Sequence, residues 1–251
     1  MYRHAVVTLY LVAVLATARA QSSESIDGEI NEAKAMRLLF GNYDPKQRAS
    51  TLPEKTFAEV YATQSATIDE TRLWFLYTTS NTPDNKCHAC QVTLGAAAFE
   101  QQGSRWVKKV DNRKLDSIGH DGYAQDSKPV QWGTKSFGLL VDNSWTGYGQ
   151  LSSWQSLYGY ESGTFRLIFT IPLSDTNGFS LLPDNEKYAW DAAWRFGPPS
   201  ANGVFDIAVT LKMGSIPKAK GQRERIPVAG TYRYDGKTYK HRQTSVPLGG
   251  K

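Results

Sequence analysis

Cysteine is scarce in this chain: only Cys87 and Cys90 occur among 251 residues. Two cysteines cannot build the disulfide framework of small secreted proteins, so a hydrophobic core must supply the stability. Long apolar runs are lacking as well. The longest, Ala5–Leu15, is too short to span a bilayer stably, which takes about 20 residues. We therefore expect no transmembrane segment.

Motifs for catalysis and for cofactor binding are also missing. The sequence has no G-x-S-x-G segment, which would present a nucleophilic serine, and no Gly-rich phosphate cradle. We therefore expect no nucleotide and no other cofactor. It has no internal repeat of fixed period either, which argues against a propeller or a solenoid.

The first twenty residues have the pattern of an export signal. Arg3 precedes the apolar run, and Ala18-Arg19-Ala20 is a small-x-small cleavage site. We interpret residues 1–20 as a signal peptide. The prediction is a protein exported to the periplasm or the extracellular space, with residues 21–251 forming a single β-rich domain.

The composition favours β-structure, since aromatic residues make up 12% of the chain and 21 glycines and 11 prolines punctuate it. We predict a mainly β fold, an antiparallel sandwich or a barrel-like sheet, with one N-terminal helix. The helix is expected within residues 27–42, capped by Asp27 at its start and closed by Gly41.

Three local patterns give more detailed predictions. Residues 187–196 alternate between apolar and polar positions, which favours a strand, although Trp190 and Trp194 also have helical spacing. The polar stretch 112–129 is predicted as a long connection. Asp235-Gly236 indicates a hairpin with a two-residue turn, in which Tyr234 pairs with Lys237 and three tyrosines share one face.

Positive charge is concentrated at the C-terminus. Residues 212–251 hold ten Lys and Arg against two acidic residues, a net charge of +8. Such a basic hairpin and tail suits an anionic surface such as lipopolysaccharide or a membrane. We favour the alternative that these charges lie on solvated strand faces and a mobile end, and we do not expect a nucleic-acid partner.

The segment Cys87-His88-Ala89-Cys90 admits three interpretations. A small loop disulfide between Cys87 and Cys90 is favoured for an exported protein. Metal binding would use Cys87, His88 and Cys90, with His120 or His241 as a fourth ligand for zinc. A thioredoxin-like redox site would need a helix after the first cysteine, and the following residues have the pattern of a strand.

The same segment carries a resemblance. The run "TTSNTPDNKCHACQVTLGAAAFEQQGSRWV", residues 78–107, is similar to uncharacterised exported bacterial proteins, in which a C-H-A-C segment precedes a short strand, a turn and a Trp. The resemblance implies a bacterial exported protein. It implies no activity.

The best candidate for a binding surface is the aromatic stretch that follows residue 142. Its rings lie among Gly, Ser, Asn and Gln, a mixture that suits contact with a sugar or a peptide. The alternative is that the rings close one end of the core. The candidate binding residues are Trp145, Tyr148, Trp154, Tyr158 and Tyr160.

Two further patterns are candidates for catalysis. His120 and Asp121 could form a general base, although neighbours in an extended loop point apart. A glycosidase would need two carboxylates in one place. The acidic candidates for such a pair are Glu161, Asp175, Asp184 and Glu186.

These observations rank three classes of function. We favour an exported protein that binds a partner protein or an envelope component such as a glycan or lipopolysaccharide. A specific form is a periplasmic inhibitor or immunity protein directed against a hydrolase. The alternatives are a secreted hydrolase that uses His120, and a metal or redox protein that uses the Cys87-His88-Cys90 segment.

Overall fold

Two antiparallel β-sheets form the body of the protein. The computed structural model describes residues 25–181, 187–215 and 229–242. The signal peptide predicted for residues 1–20 lies outside them. The first sheet has six strands in the order β1-β6-β5-β4-β3-β2. They are β1 (Ser25–Asp27), β2 (Ala49–Thr51), β3 (Phe57–Ile68), β4 (Thr71–Asn81), β5 (Val92–Gln102) and β6 (Arg105–Ile118).

The second sheet is a meander in which each of eight strands pairs with its sequence neighbour. They are β7 (Ser127–Gly133), β8 (Ser136–Gly147), β9 (Gln150–Glu161), β10 (Thr164–Thr176), β11 (Ala189–Pro199), β12 (Phe205–Ser215), β13 (Gly230–Tyr234) and β14 (Tyr239–Arg242). One of the two sheets is curled, and the predicted mainly β, sandwich- or barrel-like fold is confirmed. None of the helices found in the described ranges is long and apolar enough to cross a membrane.

The N-terminal helix is confirmed, but it begins later than the sequence indicates. Helix α1 spans Glu32–Phe40, and its N-cap is Asn31, whose side-chain oxygen accepts the Lys34 backbone N–H at 3.0 Å. The expected cap, Asp27, is instead the last residue of β1, because that segment pairs with β6. Gly41 ends the helix with a left-handed φ of 81°, as predicted.

Buried side chains form three clusters. The helix-side core lies between α1 and the first sheet and includes Met36, Leu76, Phe99 and Trp106. The inter-sheet core lies between the two sheets and includes Phe75, Tyr77, Leu139, Tyr158 and Phe165. The inner core lies within the second sheet and includes Trp132, Leu157, Ile171, Ile207, Tyr232, Tyr234 and Tyr239. Strands β8 and β9 contribute to both of the last two cores, because alternate residues of a strand face opposite sides.

The C-terminal hairpin has the predicted tyrosine face with a different turn. Tyr234 pairs with Tyr239, which leaves four residues in the loop instead of two. The reason is Asp235, whose side chain accepts the backbone N–H groups of Lys237 and Thr238, each at 2.8 Å. Of the basic segment 212–251, residues 216–228 and 243–251 lie outside the described residues.

Two predictions about strands have opposite outcomes. The alternating segment around Trp190 is strand β11, as predicted. The polar stretch 112–129 is not one long connection, since β6 continues to Ile118 and β7 begins at Ser127. A break in register against β5, between Leu94 and Ala96, interrupts the period of two and conceals the strand in the sequence.

The second sheet has a weak seam between β10 and β11. These strands pair at only three positions, Ser174–Thr176, whereas β10 pairs with β9 along almost its whole length. Nearer the start of β10, the β13–β14 hairpin takes the place of β11 as its neighbour. There the Thr238 hydroxyl donates to the Ile168 carbonyl at 2.7 Å. The Tyr234 hydroxyl also receives a hydrogen bond from Arg166 at 2.6 Å.

Candidate functional site

The two cysteines form a disulfide in the loop between β4 and β5. The Cys87 and Cys90 sulfurs are bonded, with 5.0 Å between the Cα atoms, so the predicted disulfide is confirmed. The bond removes both thiolates from the three ligands of the metal interpretation. In the described ranges no group of three or more His, Cys, Asp and Glu side chains could hold a metal ion.

His88, between the cysteines, links the disulfide loop to two other segments. Its Nδ1 lies 3.0 Å from Asp121 Oδ1, and its Nε2 lies 2.8 Å from the Thr146 carbonyl oxygen. A neutral imidazole can donate at only one nitrogen, so two facing acceptors favour the imidazolium. The Thr146 carbonyl, followed by the Asp121 carboxylate, therefore raises the pKa of His88.

The His120–Asp121 pair converges, in contrast to the geometry expected for an extended loop. Asp121 Oδ2 lies 2.7 Å from His120 Nδ1. The loop is not extended, since Asp121 has a φ of 55° and Gly119 and Gly122 flank the pair with positive φ values. Hydrogen bonding to His120, and then to His88, lowers the pKa of Asp121. One carboxylate thus joins two imidazoles from different loops.

Ser144 completes this cluster, although no sequence motif indicates it. Its hydroxyl oxygen lies 3.2 Å from His120 Nε2 and accepts a hydrogen bond from Gln125 Nε2 at 2.6 Å. Ser144 lies on β8 opposite Ser153 of β9. Only the fold brings this position next to the loop that carries His120.

Close backbone contact holds the two loops together. The Gly122 N–H donates to the Cys90 carbonyl at 2.8 Å, and the Asp121 N–H donates to the His88 carbonyl at 3.2 Å. A Cβ on Gly122 would lie 1.7 Å from the Asn85 carbonyl oxygen, so this approach requires glycine. The disulfide loop and residues 119–125 therefore form one joined structure at the end of the first sheet.

The predicted aromatic surface is divided between solvent and core. Tyr148 is 99% exposed in the β8–β9 turn, and Trp145 is 40% exposed beside it, while Trp154 is half-buried. Tyr158 is only 2% exposed and Tyr160 packs on Phe75 and Phe165, so both belong to the inter-sheet core. Tyr158 and Tyr160 are therefore removed from the predicted binding surface, because their side of β9 faces the first sheet.

Further apolar side chains are exposed near Tyr148. The loop after β10 lies against the β8–β9 turn, since a Cβ on Gly149 would be 2.5 Å from the Ser180 Cα atom. The loop of Tyr123 is tied to β8 through His88 and His120. We call these exposed residues the apolar end of the molecule: Tyr123, Trp145, Tyr148, Leu151, Phe179 and Leu181.

The two described acidic candidates for a glycosidase, Glu161 and Asp175, belong to separate hydrogen-bond clusters. Glu161 accepts the Tyr234 hydroxyl at 2.7 Å. Asp175 accepts the Ser152 hydroxyl at 2.8 Å. Asp184 and Glu186 lie outside the described residues. The contacts of the described pair are thus those of strand-to-strand connections.

Comparison of the chain with protein-family models, with curated proteins and with solved structures finds no match. The functional argument therefore rests on the geometry of the site.

The environment of His88 leads to a prediction about pH. We expect His88 to titrate above its ordinary pKa of about 6.5, and Asp121→Asn to lower that pKa by removing the negative charge beside the ring. Because the folded pKa is the higher one, the stabilising contact is fully present below about pH 6.5 and is lost as the pH rises through the folded pKa. NMR titration of the His88 ring protons in both proteins measures this. A wild-type pKa at or below 6.5, or no change in the variant, would contradict the prediction.

Proposed function

We propose that this chain is an exported binding protein whose apolar end docks on a partner protein. One observation carries the proposal: six of the seven large hydrophobic side chains exposed in the described ranges lie at this end. Scattered apolar residues are normal on a surface, whereas a cluster of this kind is typical of an interaction site.

The composition of the apolar end favours a protein as the partner. Sugars bind flat aromatic rings with polar groups around them, whereas Leu151, Phe179 and Leu181 add protruding aliphatic and aromatic groups that suit an apolar pocket. A periplasmic inhibitor or immunity protein that occludes the active site of a hydrolase is a specific form of this proposal.

The supporting loops are held in place before binding. The Cys87–Cys90 disulfide and the His88 contact with the Thr146 carbonyl fix the base of the β8–β9 turn. Preorganised loops lose less conformational freedom on binding, so more of the contact energy appears as affinity. The disulfide also fits an oxidising, extracytoplasmic compartment.

The test places a photo-crosslinking amino acid at position 148 and, as a matched control, at position 167. Leu167 is the seventh exposed hydrophobic residue, at 44%, and is not part of the apolar end. We expect one defined envelope protein to crosslink at position 148 and not at 167. Tyr148→Ala should then weaken binding to that protein by about 1–4 kcal/mol, as for an aromatic anchor.

The same variant should change the free energy of unfolding by no more than about 0.5 kcal/mol, since Tyr148 is a surface residue. Equal crosslinking at both positions would contradict the proposal. If position 148 crosslinked only to a glycan or a lipid, the partner would be that envelope component and not a protein.

A further inference from the structure

Ser144, His120 and Asp121 form a linear hydrogen-bonded series. Asp121 Oδ2 lies 2.7 Å from His120 Nδ1, and His120 Nε2 lies 3.2 Å from the Ser144 hydroxyl oxygen. A nucleophile, a base and a group that orients the base are the parts of a serine hydrolase, which is recognised by geometry and not by sequence order. We propose that this is an active site for hydrolysis of apolar carboxylic esters, independent of the binding function.

The protonation of His120 follows from its two neighbours. The carboxylate of Asp121 can only accept, so His120 Nδ1 carries a proton, and in the neutral imidazole Nε2 then presents its lone pair to Ser144. The second oxygen of Asp121 is held by His88 at 3.0 Å. Asp121 is thus a positioning residue that is itself fixed by the disulfide loop.

Gln125 supplies a donor for the negative charge that develops during attack. Its Nε2 lies 2.6 Å from the Ser144 oxygen, so a carbonyl oxygen attacked by Ser144 comes within reach of the same N–H₂ group. The backbone carbonyl of Gln125 accepts the Tyr61 hydroxyl, and burial raises the pKa of Tyr61 to about 12, which keeps that hydroxyl a donor. Gln125 is therefore anchored at its backbone while its amide faces Ser144.

The reaction has two balanced steps. In the first, the Ser144 oxygen bonds to the ester carbonyl carbon, its proton moves to His120 Nε2, and that proton then leaves with the alcohol as the carbon–oxygen bond breaks. In the second, water attacks the acyl-serine and gives its proton to His120, which returns it to Ser144. The products are the alcohol and the carboxylic acid, and no redox partner is needed.

The surroundings indicate the substrate class. A single side-chain donor stabilises an oxyanion less than a pair of donors does, so an ester, which is more electrophilic than an amide, is the class this site can cleave. The exposed Tyr123 flanks the site in the chain, two residues after Asp121. This ring favours an apolar acyl or alcohol group.

The test uses the full-length chain exported from a bacterial host, with a fluorophosphonate probe and p-nitrophenyl butyrate. The probe forms a phosphonyl ester with an activated serine and releases fluoride. We expect the adduct on Ser144 by peptide mass spectrometry, and at least about a 100-fold loss of ester hydrolysis in Ser144→Ala and in His120→Gln. Ser153→Ala is the matched control, since Ser153 is the cross-strand partner of Ser144 and its hydroxyl contacts Ser174 instead of a histidine.

The role of Asp121 needs a separate measurement. Asp121→Asn should slow both labelling and hydrolysis and change the pH profile of the rate, which loss of packing alone would not do. If the probe did not label Ser144 in the wild-type protein, the proposal would be overturned, and this result does not depend on how any variant folds. An equal loss of activity in Ser153→Ala would overturn it as well. Crosslinking at position 148 would be unaffected, so this failure is distinct from failure of the binding function.

Discussion

Trp132→Ala is expected to lower the free energy of unfolding by about 3–5 kcal/mol, the range for truncation of a buried aromatic residue. The Trp132 side chain is fully buried in the inner core and meets the Tyr234 ring edge-on at 5.4 Å between centroids. Its ring lies over Gly159, where a Cβ would be 2.7 Å away. Alanine would leave a cavity that neighbours on opposite strands cannot fill.

Two variants serve as controls for Trp132→Ala. Trp132→Phe keeps an aromatic ring and removes an indole N–H that has no hydrogen-bond partner in the described part of the chain, so a smaller loss is expected. Tyr148→Ala truncates an exposed ring and should change stability by no more than about 0.5 kcal/mol. The midpoints of denaturant unfolding give the stability of the three variants relative to the wild type, provided that the m-value is the same for all of them. If Trp132→Ala lost as little stability as Tyr148→Ala, the burial of Trp132 in the inner core would be contradicted.

Gly138→Ala is expected to cost about 3 kcal/mol, at the upper end for overpacking. Gly138 pairs with Gly159 in the β8–β9 ladder, and a Cβ there would lie 2.1 Å from the Tyr158 carbonyl oxygen. The atoms that this Cβ would meet belong to the backbone, so no rotamer change can relieve the clash. The strands would have to separate where Tyr158 enters the inter-sheet core.

The matched control is Gly163→Ala, in the turn between β9 and β10. Gly163 has a φ of 77°, and no atom lies within 4 Å of the place that an added methyl group would take. The expected cost is therefore only that of placing an alanine in the left-handed conformation, about 1–2 kcal/mol. Thermal and urea unfolding of both variants measure the difference. If Gly138→Ala were the less harmful of the two, β8 and β9 could not be as close as described.

The sequence predicted the fold class because alternation is a local signal. Strand β11 could be recognised from Tyr188 to Phe196, and the end of α1 from Gly41. The predicted start of α1 was wrong because Asp27 pairs with β6, a contact distant in sequence. The polar second half of β6, from Asn112 to Ile118, was missed because the register break interrupts its alternation.

The candidate site was predictable only in part. The Cys87–Cys90 bond follows from spacing and compartment, and His120 and Asp121 were singled out as neighbours. Their convergence requires a left-handed φ at Asp121, which no residue type indicates reliably. Ser144 joins them from a separate strand, and sequence spacing carries no information about such a contact.

The seam between β10 and β11 has a consequence for cooperativity. With only three paired positions there, the strands from β11 to β14 are attached to the rest by side-chain packing in the inner core and by the contacts of Thr238 and Tyr234. One isolated backbone bridge, between Gly133 and Val204, also joins them to the β7–β8 hairpin. Such a unit can open sub-globally at a lower free energy than complete unfolding. The disulfide loop, residues 119–125 and Ser144 all lie before this seam. The site would therefore persist in a partly unfolded protein that has lost its last four strands.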